Sequence, residues 1–516
     1  MSLKTVSLIL FAAVVAAGSV LFVVFVSPLQ LRPLVIEIER SETAPLSARA
    51  VISSREPVRV ELRIAAREGE DLRTSYDDYQ REHEIPVLGL YPDHANEIEF
   101  TTIDEHGNRR TYRREVETDP LPDLYPQIRV ETSKPARVGE GMVLLHLAAY
   151  DEEGDYHPLA SVVDTYGRVR WLYTEDYGHL LHPLENGNLM VQKEDRITEI
   201  TPLGERTGRS WELEEGLHHD AQELPNGNFL ALTTAVGSFE DGVVEIDRDS
   251  GDVVRSLDFR EILDPDRPRQ PINLDDADWL HLNGLDYDPT DDAVVVSGRD
   301  QSAVVKVDLD SGEPEWILGN HTHWREAFEP YLLEPVGASS DGETFEWPWG
   351  QHAPELYRAS GSEGAQERRR LLIYDNGNHR SYEDPLPPGE NYSRAVEYEV
   401  DESAGTIREI WQYGTERGSE LFTPFIGDAD YLDNGNRLVV FGGIARDLEG
   451  RAESLFDLDA MEVNDMKISA RVIEVTADQP AEPVLELAFE DDDSETYAGY
   501  RVYQAEKIRF YPFEAR

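Results

Sequence analysis

A strand–turn–strand pattern recurs along most of this chain, from about residue 136 to its C-terminus. Six candidate hairpins have turns rich in Asp and Gly, at residues 163–171, 200–205, 246–254, 307–316, 400–407 and 475–478. Hairpins of a second type lie between them, with Asn-Gly turns at Asn186-Gly187, Asn226-Gly227 and Asn434-Gly435, where both turn residues are expected to have positive φ. Two hairpins make a four-stranded blade, and six blades close into a propeller without a long exposed edge. We therefore predict a six-bladed β-propeller over residues 136–516.

Two further segments precede the repeat. Residues 30–135 contain alternating apolar and polar runs, such as Leu34–Ile38 and Val58–Ile64, which predict a small β-sandwich domain. Val6–Val26 is uncharged, almost wholly apolar and long enough to span the ~30 Å hydrocarbon core. We predict a transmembrane helix there, with residues 1–29 as a membrane anchor or uncleaved signal. The fold class is thus all-β apart from this helix.

Charge and cysteine content exclude several partners and chemistries. The chain has 103 Asp and Glu against 48 Lys and Arg, a net charge of −55, which argues against binding nucleic acid or anionic lipid. Such an acidic surface is typical of a halophilic protein. The absence of cysteine excludes disulfides, thiolate metal sites and a Cys nucleophile. Lys4 predicts a cytoplasmic N-terminus, so the bulk of the chain is expected on the periplasmic or extracellular side.

The candidate functional residues come where inner hairpins of the predicted blades begin. His352 lies between Trp-Pro-Trp-Gly-Gln and Ala-Pro, a context that places it on a constrained loop. The other candidates are His218, His219, His281, Asn283 and Arg299. In a propeller such positions line or cap the central channel, so we expect these side chains to converge there on one anionic group.

Their chemistry favours group transfer over hydrolysis by paired carboxylates. Neutral imidazole is a good nucleophile near neutral pH, and guanidinium or imidazolium complements an oxyanion. No Gly-Lys-Ser/Thr phosphate loop occurs, so a nucleotide donor is not indicated. We predict no cofactor and assign no metal, including to His321-Thr322-His323.

Several motifs in register resemble the bacterial arylsulfate sulfotransferases, which use no nucleotide donor. They lie within residues 200–445 and include the segments 278–288, 296–304, 350–352, 374–378, 392–398 and 411–418. The resemblance implies that His352 takes a sulfuryl group from an aryl sulfate, becomes a sulfohistidine and passes the group to a phenol in a ping-pong cycle. Arg299 and His281 would bind the sulfuryl oxygens, with Asn283 nearby.

The resemblance also implies a histidine that assists the phenol oxygen. We prefer His219 for this catalytic role because it directly precedes Asp220, and we place His218 among the substrate-binding residues, although spacing alone cannot choose between them. The expected partners are an aryl sulfate donor, a phenol acceptor and the membrane, and the sequence leaves a homodimer open.

Two other functions stay open on sequence grounds. One is a membrane-tethered propeller that serves as a binding scaffold without activity. The other is a different propeller enzyme, such as a quinoprotein, which would need an acidic calcium cluster and stacked tryptophans that the sequence does not display. Convergence of His352, Arg299 and His281 would favour the transferase over the scaffold.

Overall fold

The fold is known from a computed structural model that describes residues 34–151, 155–235, 240–270, 278–337, 345–357, 368–453, 466–490, 499–511 and 513–515. The described residues are mainly strands, which confirms the all-β prediction. The prediction of an N-terminal transmembrane helix is wrong on the evidence of the described residues, among which no helix is long and apolar enough to cross a bilayer. The segment Val6–Val26 that prompted the prediction lies outside those residues.

The chain divides into two compact units, and the smaller one comprises 34–41, 47–87 and 95–116 of the described residues. Its strands are β1 (Leu34–Arg40), β2 (Ser47–Ile64), β3 (Leu72–Leu88), β4 (His94–Asp104) and β5 (Arg109–Thr118). They form one five-stranded sheet in the order β1-β2-β4-β5, with β3 also paired to β2. The first part of β2 pairs with β1 and its last part with β4, so one long strand pairs with both neighbours.

The described residues of the larger unit form three four-stranded sheets, one five-stranded sheet and one eleven-stranded sheet. The eleven-stranded sheet divides into two blades where only Ile468 and Gly499 pair, which gives six blades. Three blades follow the chain without interruption: β11–β14 (Leu181–Pro183, Leu189–Lys193, Arg196–Ile200, Arg206–Glu212), β15–β18 (Leu217–Glu223, Phe229–Thr233, Gly242–Ile246, Val253–Asp258) and β19–β22 (Leu282–Asp288, Ala293–Gly298, Ala303–Asp308, Pro314–Gly319). The middle strands, such as β16 and β20, are buried along their whole length because both faces pack against neighbouring blades.

The remaining three blades recruit additional strands. The fourth blade is β24–β27 (His352–Leu356, Arg368–Asp375, Arg394–Asp401, Thr406–Tyr413), extended by β23 (Glu334–Pro335). The fifth is β28–β31 (Asp428–Tyr431, Arg437–Arg446, Lys467–Val475, Pro483–Phe489), extended by β6 (Arg129–Ser133). The sixth joins β32 (Gly499–Phe510) to β7 (Met142–Tyr150), β9 (Ser161–Val163) and β10 (Val169–Leu172), with β8 (Tyr156–Pro158) and β33 (Phe513–Ala515) at its sides. Short helices are α1 (Phe259–Ile262) and 3₁₀ turns at Glu326–Tyr331, Pro388–Glu390 and Thr415–Leu421.

Side chains on the six innermost strands close the propeller into a ring. On four of these strands a carboxylate accepts a hydrogen bond from a backbone N–H of the next innermost strand: Asp220 from Leu285, Asp286 from Leu356, Glu355 from Tyr431 and Asp428 from Ala505. His182 on β11 completes the circuit through ion pairs with Glu506 of β32 and Asp220 of β15. Since β32 is near the C-terminus and pairs with β7, the sixth blade joins the two ends of the larger unit.

The Asn-Gly turns form hairpins as predicted, but with a different turn type. At Asn186, Asn226 and Asn434 the asparagine keeps negative φ, and only the following glycine is left-handed, with φ between 81° and 86°. Each glycine N–H bonds the carbonyl three residues earlier, as in a type I turn followed by a bulge. The side chains explain the motif: in each turn the asparagine and the one two residues later donate to the same glutamate, Glu199, Glu245 or Glu474.

Candidate active site

The candidate histidines lie at the beginnings of innermost strands, where non-glycine residues have positive φ, and Arg299 follows β20, the second strand of its blade. His219, His281 and Ala353, which follows His352, have φ of 51°, 53° and 48°. The pairing of β15, β19 and β24 with the second strand of the blade shifts register at these places. Such bulges turn side chains away from the regular alternation, and left-handed non-glycine residues cluster at functional sites.

His352 is buried and held in one tautomer. Its Nδ1 lies 2.7 Å from Oδ1 of Asn376, and the Asn376 amide nitrogen donates to the carbonyls of Thr423 (2.9 Å) and Ile426 (2.8 Å). Because that nitrogen is committed as a donor, Oδ1 must accept, so Nδ1 carries the hydrogen and Nε2 keeps its lone pair. Burial, followed by the nearby charge of Arg299, lowers the pKa of His352 to about 3, so the ring is neutral at physiological pH.

Gln351 fixes the backbone that carries His352. Its amide nitrogen lies within hydrogen-bond distance of Ser297 Oγ and of the Gly298 and Ala303 carbonyls, at 3.0–3.2 Å. Its carbonyl accepts from Ser297 Oγ (2.8 Å) and from the Asn283 amide (2.9 Å). Asn283 therefore supports the nucleophile's segment, and its own Oδ1 is buried with no hydrogen bond to any described residue.

Gly284 lets this segment approach β19. A Cβ at Gly284 would lie 3.0 Å from the Ala353 nitrogen and 2.8 Å from Pro354 Cδ. These separations are shorter than a side chain tolerates, so only glycine fits the close approach. In the Leu282-Asn283-Gly284 motif, Gly284 thus allows the close approach of the segment that carries His352, and Asn283 donates a hydrogen bond to that segment.

His281 is held as a cation by two carboxylates. Its Nδ1 is 2.6 Å from Oδ2 of Asp278 and 2.7 Å from Oε2 of Glu240. Burial and Arg299 oppose protonation, but these two acceptors outweigh them and raise the pKa of His281 to about 9. The pKa of Glu240 falls to about 2 against the cost of its burial, because it bonds His281. At neutral pH the site therefore offers an imidazolium beside the neutral His352.

Arg299 supplies a second buried cation. Its Nε donates to Oδ1 of Asp300 (2.9 Å), and its backbone N–H bonds the His281 carbonyl (3.1 Å). Its charge lowers the pKa of His352, as does that of His281, so these three side chains lie within electrostatic reach of one another. A rigid guanidinium next to an imidazolium is suited to binding the oxygens of an anionic group.

His219 belongs to an aromatic stack beside this cluster. Its ring centroid is 4.8 Å from that of His281 and 5.3 Å from that of His179, which stacks on Tyr503 at 5.0 Å. Burial, followed by the charge of His281, holds the pKa of His219 well below its ordinary value. His218 adjoins it, with its Nδ1 3.0 Å from Nδ1 of His219, and ring nitrogens of both histidines lie within 4.8 Å of a Glu240 carboxylate oxygen.

Sequence reasoning missed the residues that set the charge state of the site. Glu240 lies 41 positions before His281, and in so acidic a chain nothing distinguishes it from a surface carboxylate. Asn376 lies in the segment 374–378, one of the motifs named above, but its contact with His352 depends on the fold. Some imidazole and carboxylate atoms here are close enough to share a metal ion, as in Glu240–Asp278–His281. Within that trio the Nδ1–H of His281 donates to Asp278 Oδ2, and Glu240 Oε2 lies at ion-pair distance from the same nitrogen.

Comparison with known proteins identifies the chain. A family model described as arylsulfotransferase matches residues 127–501, and one described as an arylsulfotransferase Ig-like domain matches residues 23–119.

The chain belongs to the arylsulfotransferase family. The family that the motifs resemble is thereby confirmed, and the protein is an enzyme that transfers sulfuryl groups. The sulfotransferase is 25% identical over 511 residues to the arylsulfate sulfotransferase of Lelliottia amnigena, covering 77% of this chain and 81% of the relative. It is 27% identical over 402 residues to that of Escherichia coli O6:H1, covering 63% and 64%.

Solved structures similar to the sulfotransferase are distant. A putative 6-phosphogluconolactonase from Bacteroides fragilis has 10% identity and a TM-score of 0.33, with 88% of this chain and 98% of that one covered. A likeness at this level carries no argument about function.

Proposed function

We propose that the sulfotransferase moves a sulfuryl group from a phenolic sulfate ester to a phenol through a sulfohistidine at His352, without a nucleotide donor. The observation that carries this proposal is a neutral His352 whose Nδ1–H is bonded to Asn376, with Arg299 and a protonated His281 close by. A nucleophile with a free Nε2 lone pair beside two cations is suited to accept an anionic electrophile.

In the first half-reaction, Nε2 of His352 bonds to sulfur as the bond from sulfur to the aryl oxygen breaks. The electron pair of that bond leaves with the phenolate, and the ring becomes cationic while it carries the sulfonate. Asn376 Oδ1 stabilises the cationic ring because Nδ1–H still donates to it. Arg299 and His281 bind the sulfuryl oxygens, whose charge changes in a loose transition state.

In the second half-reaction the acceptor phenol oxygen bonds to sulfur and Nε2 regains its lone pair. The phenol loses its proton, and His219 is the residue we propose as its acceptor. Its low pKa keeps the ring unprotonated at neutral pH, so a nitrogen lone pair is available when the phenol hydroxyl, made more acidic as its oxygen bonds to sulfur, releases its proton. The proton then passes to the phenolate released earlier or to solvent, so the cycle restores every group. His218 and Asn283 hold the substrate in place.

Family membership favours this enzyme over the scaffold and quinoprotein alternatives. A location outside the cytoplasm, a homodimer and a requirement for high salt stay predictions.

The test is transfer from 4-nitrophenyl sulfate to phenol by wild type, His352→Ala and His106→Ala, the last an exposed histidine in the smaller unit. We expect transfer by wild type and His106→Ala and none by His352→Ala. A nucleotide sulfate should not replace the aryl donor. Transfer by a folded His352→Ala variant at the wild-type rate would overturn the proposal.

A further inference from the structure

Arg501 is a half-buried arginine near the start of β32, the innermost strand of the sixth blade. Tyr503, two residues further along the strand, stacks on His179 with 5.0 Å between ring centroids, and His179 stacks on His219 at 5.3 Å. Burial, followed by the charge of Arg501, lowers the pKa of His179 to about 4. The guanidinium therefore lies within electrostatic reach of the aromatic stack at the candidate active site, and the reaction proposed above does not use it.

The guanidinium of Arg501 has aromatic neighbours but no acidic partner among the described residues. It lies over the rings of Tyr156 and Tyr150, at 4.5 Å and 5.5 Å from their centroids, with the Tyr156 hydroxyl within reach of its N–H groups. By contrast, the buried Arg394 pairs with Asp375 at 3.0 Å. A hydroxyl offers two lone pairs against the five N–H donors of a guanidinium, so donors remain for a ligand that reaches this partly exposed residue.

A purely structural role for Arg501 explains its cation–π contacts but not the missing anion. Cation–π contacts help to hold a guanidinium in place. A charge withdrawn from water without an opposite charge is nevertheless costly. The chain has 103 Asp and Glu residues from which a partner could come, against 48 Lys and Arg. An anion supplied by a substrate would complete the environment of Arg501.

An apolar cluster connects Arg501 with the segment that orients His352. Its buried members are Phe425, Ile426, Ala445, Met466, Ile468 and Tyr503, with Tyr150 packed against them. Tyr150 also lies under the guanidinium, and the carbonyl of Ile426 accepts from Asn376, the hydrogen-bond partner of His352. A wall of aromatic and aliphatic side chains thus extends between the cation and the candidate nucleophile, as the binding of an aryl ring requires.

Tyr503 gives an independent indication that a ligand binds beside this wall. The residue is 5% exposed, and its hydroxyl is buried without a hydrogen bond to any described residue. A buried hydroxyl without a partner is costly unless a ligand or water satisfies it. An aryl substrate with polar groups at both ends of its ring matches this arrangement of a hydroxyl, an apolar wall and a cation.

We propose that Arg501 selects aryl substrates that carry a carboxylate in addition to the phenolic oxygen or its sulfate ester. The guanidinium would bind the carboxylate through paired N–H donors, while the ring lies on the wall around Tyr503 and the sulfuryl group meets His352. This selectivity rests on the proposed sulfuryl transfer. A net charge of −55 repels anions in general, so a preference for the acidic substrate requires a local cation such as Arg501.

The experiment compares two acceptors, 3-(4-hydroxyphenyl)propionate and its methyl ester, whose phenol groups are alike but whose charges differ. Transfer from 4-nitrophenyl sulfate is measured with wild type, Arg501→Gln, Arg501→Lys and the control Arg408→Gln, which changes an exposed arginine of β27. The ratio of kcat/KM for the acid to that for the ester should fall about tenfold in Arg501→Gln, because a charge-assisted hydrogen bond is lost. It should be largely kept in Arg501→Lys and unchanged in Arg408→Gln.

Calorimetric titration with each phenol and no donor separates this selectivity from the transfer mechanism. Wild type and Arg408→Gln should bind the acid more tightly than the ester, and Arg501→Gln should lose that preference, whichever residue carries the sulfuryl group. An equal ratio in wild type and folded Arg501→Gln would overturn the proposal, as would an equal loss of both acceptors, which a purely structural Arg501 predicts. Should Arg501→Gln fail to fold, wild type decides, and an ester bound as tightly as the acid would overturn it.

Discussion

His352 Nδ1 lies 2.7 Å from the amide oxygen of Asn376, whose nitrogen donates to two backbone carbonyls. Because these bonds prevent the Asn376 amide from rotating, Nδ1 of His352 carries the hydrogen and Nε2 keeps its lone pair. The carbonyls of Thr423 and Ile426 that lock the amide are brought next to β25 by the fold.

Asn376→Leu should lower kcat by about 10²-fold, comparable with the loss typical when the hydrogen-bond partner that orients a metal-ligating histidine is removed. Asn376→Asp should instead raise the pKa of His352, because a carboxylate replaces the amide at Nδ1. Activity of that variant should then fall on the acidic side of the pH–rate profile, measured with 4-nitrophenyl sulfate. A purely structural role for Asn376 would lower activity in both variants without moving that profile.

The pH dependence of activity should follow the protonation of the His281 imidazole. Since Asp278 and Glu240 raise its pKa to about 9, the imidazolium is complete well below that pH and is lost as pH rises through it. Its folded pKa exceeds the ordinary 6.5, so its contribution to the free energy of unfolding is also present at low pH and lost over the same rise. Glu240→Gln should move the alkaline limb of kcat/KM to lower pH, while exposed Glu214→Gln should not. An unchanged limb in Glu240→Gln would contradict this assignment.

Arg299→Lys should lose much of the activity although the charge is kept. A lysine cannot supply the rigid fork of donors, so we expect kcat/KM for the aryl sulfate to fall by about 10²-fold. Steady-state kinetics measure this loss, with exposed Arg110→Lys as the control. Wild-type kinetics in Arg299→Lys would mean that the guanidinium does not contact the sulfuryl group.

Gly284→Ala should displace the segment that carries His352 without replacing any side chain of the candidate site. The added methyl would meet the Ala353 nitrogen and Pro354 Cδ, so the segment carrying His352 must shift. We expect a loss of about 1–3 kcal/mol in the free energy of unfolding, together with reduced kcat. Gly389→Ala is the matched control, since a Cβ there meets nothing within 4 Å. Equal stability and kcat in the two variants would contradict the predicted crowding.

The hairpin repeat predicted the blades because turn chemistry and alternation are local properties. The same local evidence failed on turn type: Asn186 keeps negative φ, and its amide donates to Glu199 on a neighbouring strand. In residues 30–135 alternation identified strands but not that β2 pairs with β1 along one part and with β4 along another. An apolar run predicted a transmembrane helix, but among the described residues no helix fits a bilayer.

The candidate site was predictable as a set of residue types but not as a set of charge states. His219 and His281 have left-handed backbones that no local motif encodes, because histidine does not require positive φ. The charge of His281 depends on Glu240, and the tautomer of His352 depends on Asn376, and both are contacts between distant segments. Motif resemblance therefore located the histidines, while the fold decides which is neutral and which is protonated.

The central claim is that His352 carries the sulfuryl group between the two substrates. The most direct measurement is the intact mass of wild-type protein after brief exposure to 4-nitrophenyl sulfate without acceptor, followed by peptide mapping. We predict one added sulfuryl group on the imidazole of His352, removed by adding phenol and absent from His352→Ala. Turnover without any adduct, or an adduct on another residue that phenol removes equally fast, would contradict the account.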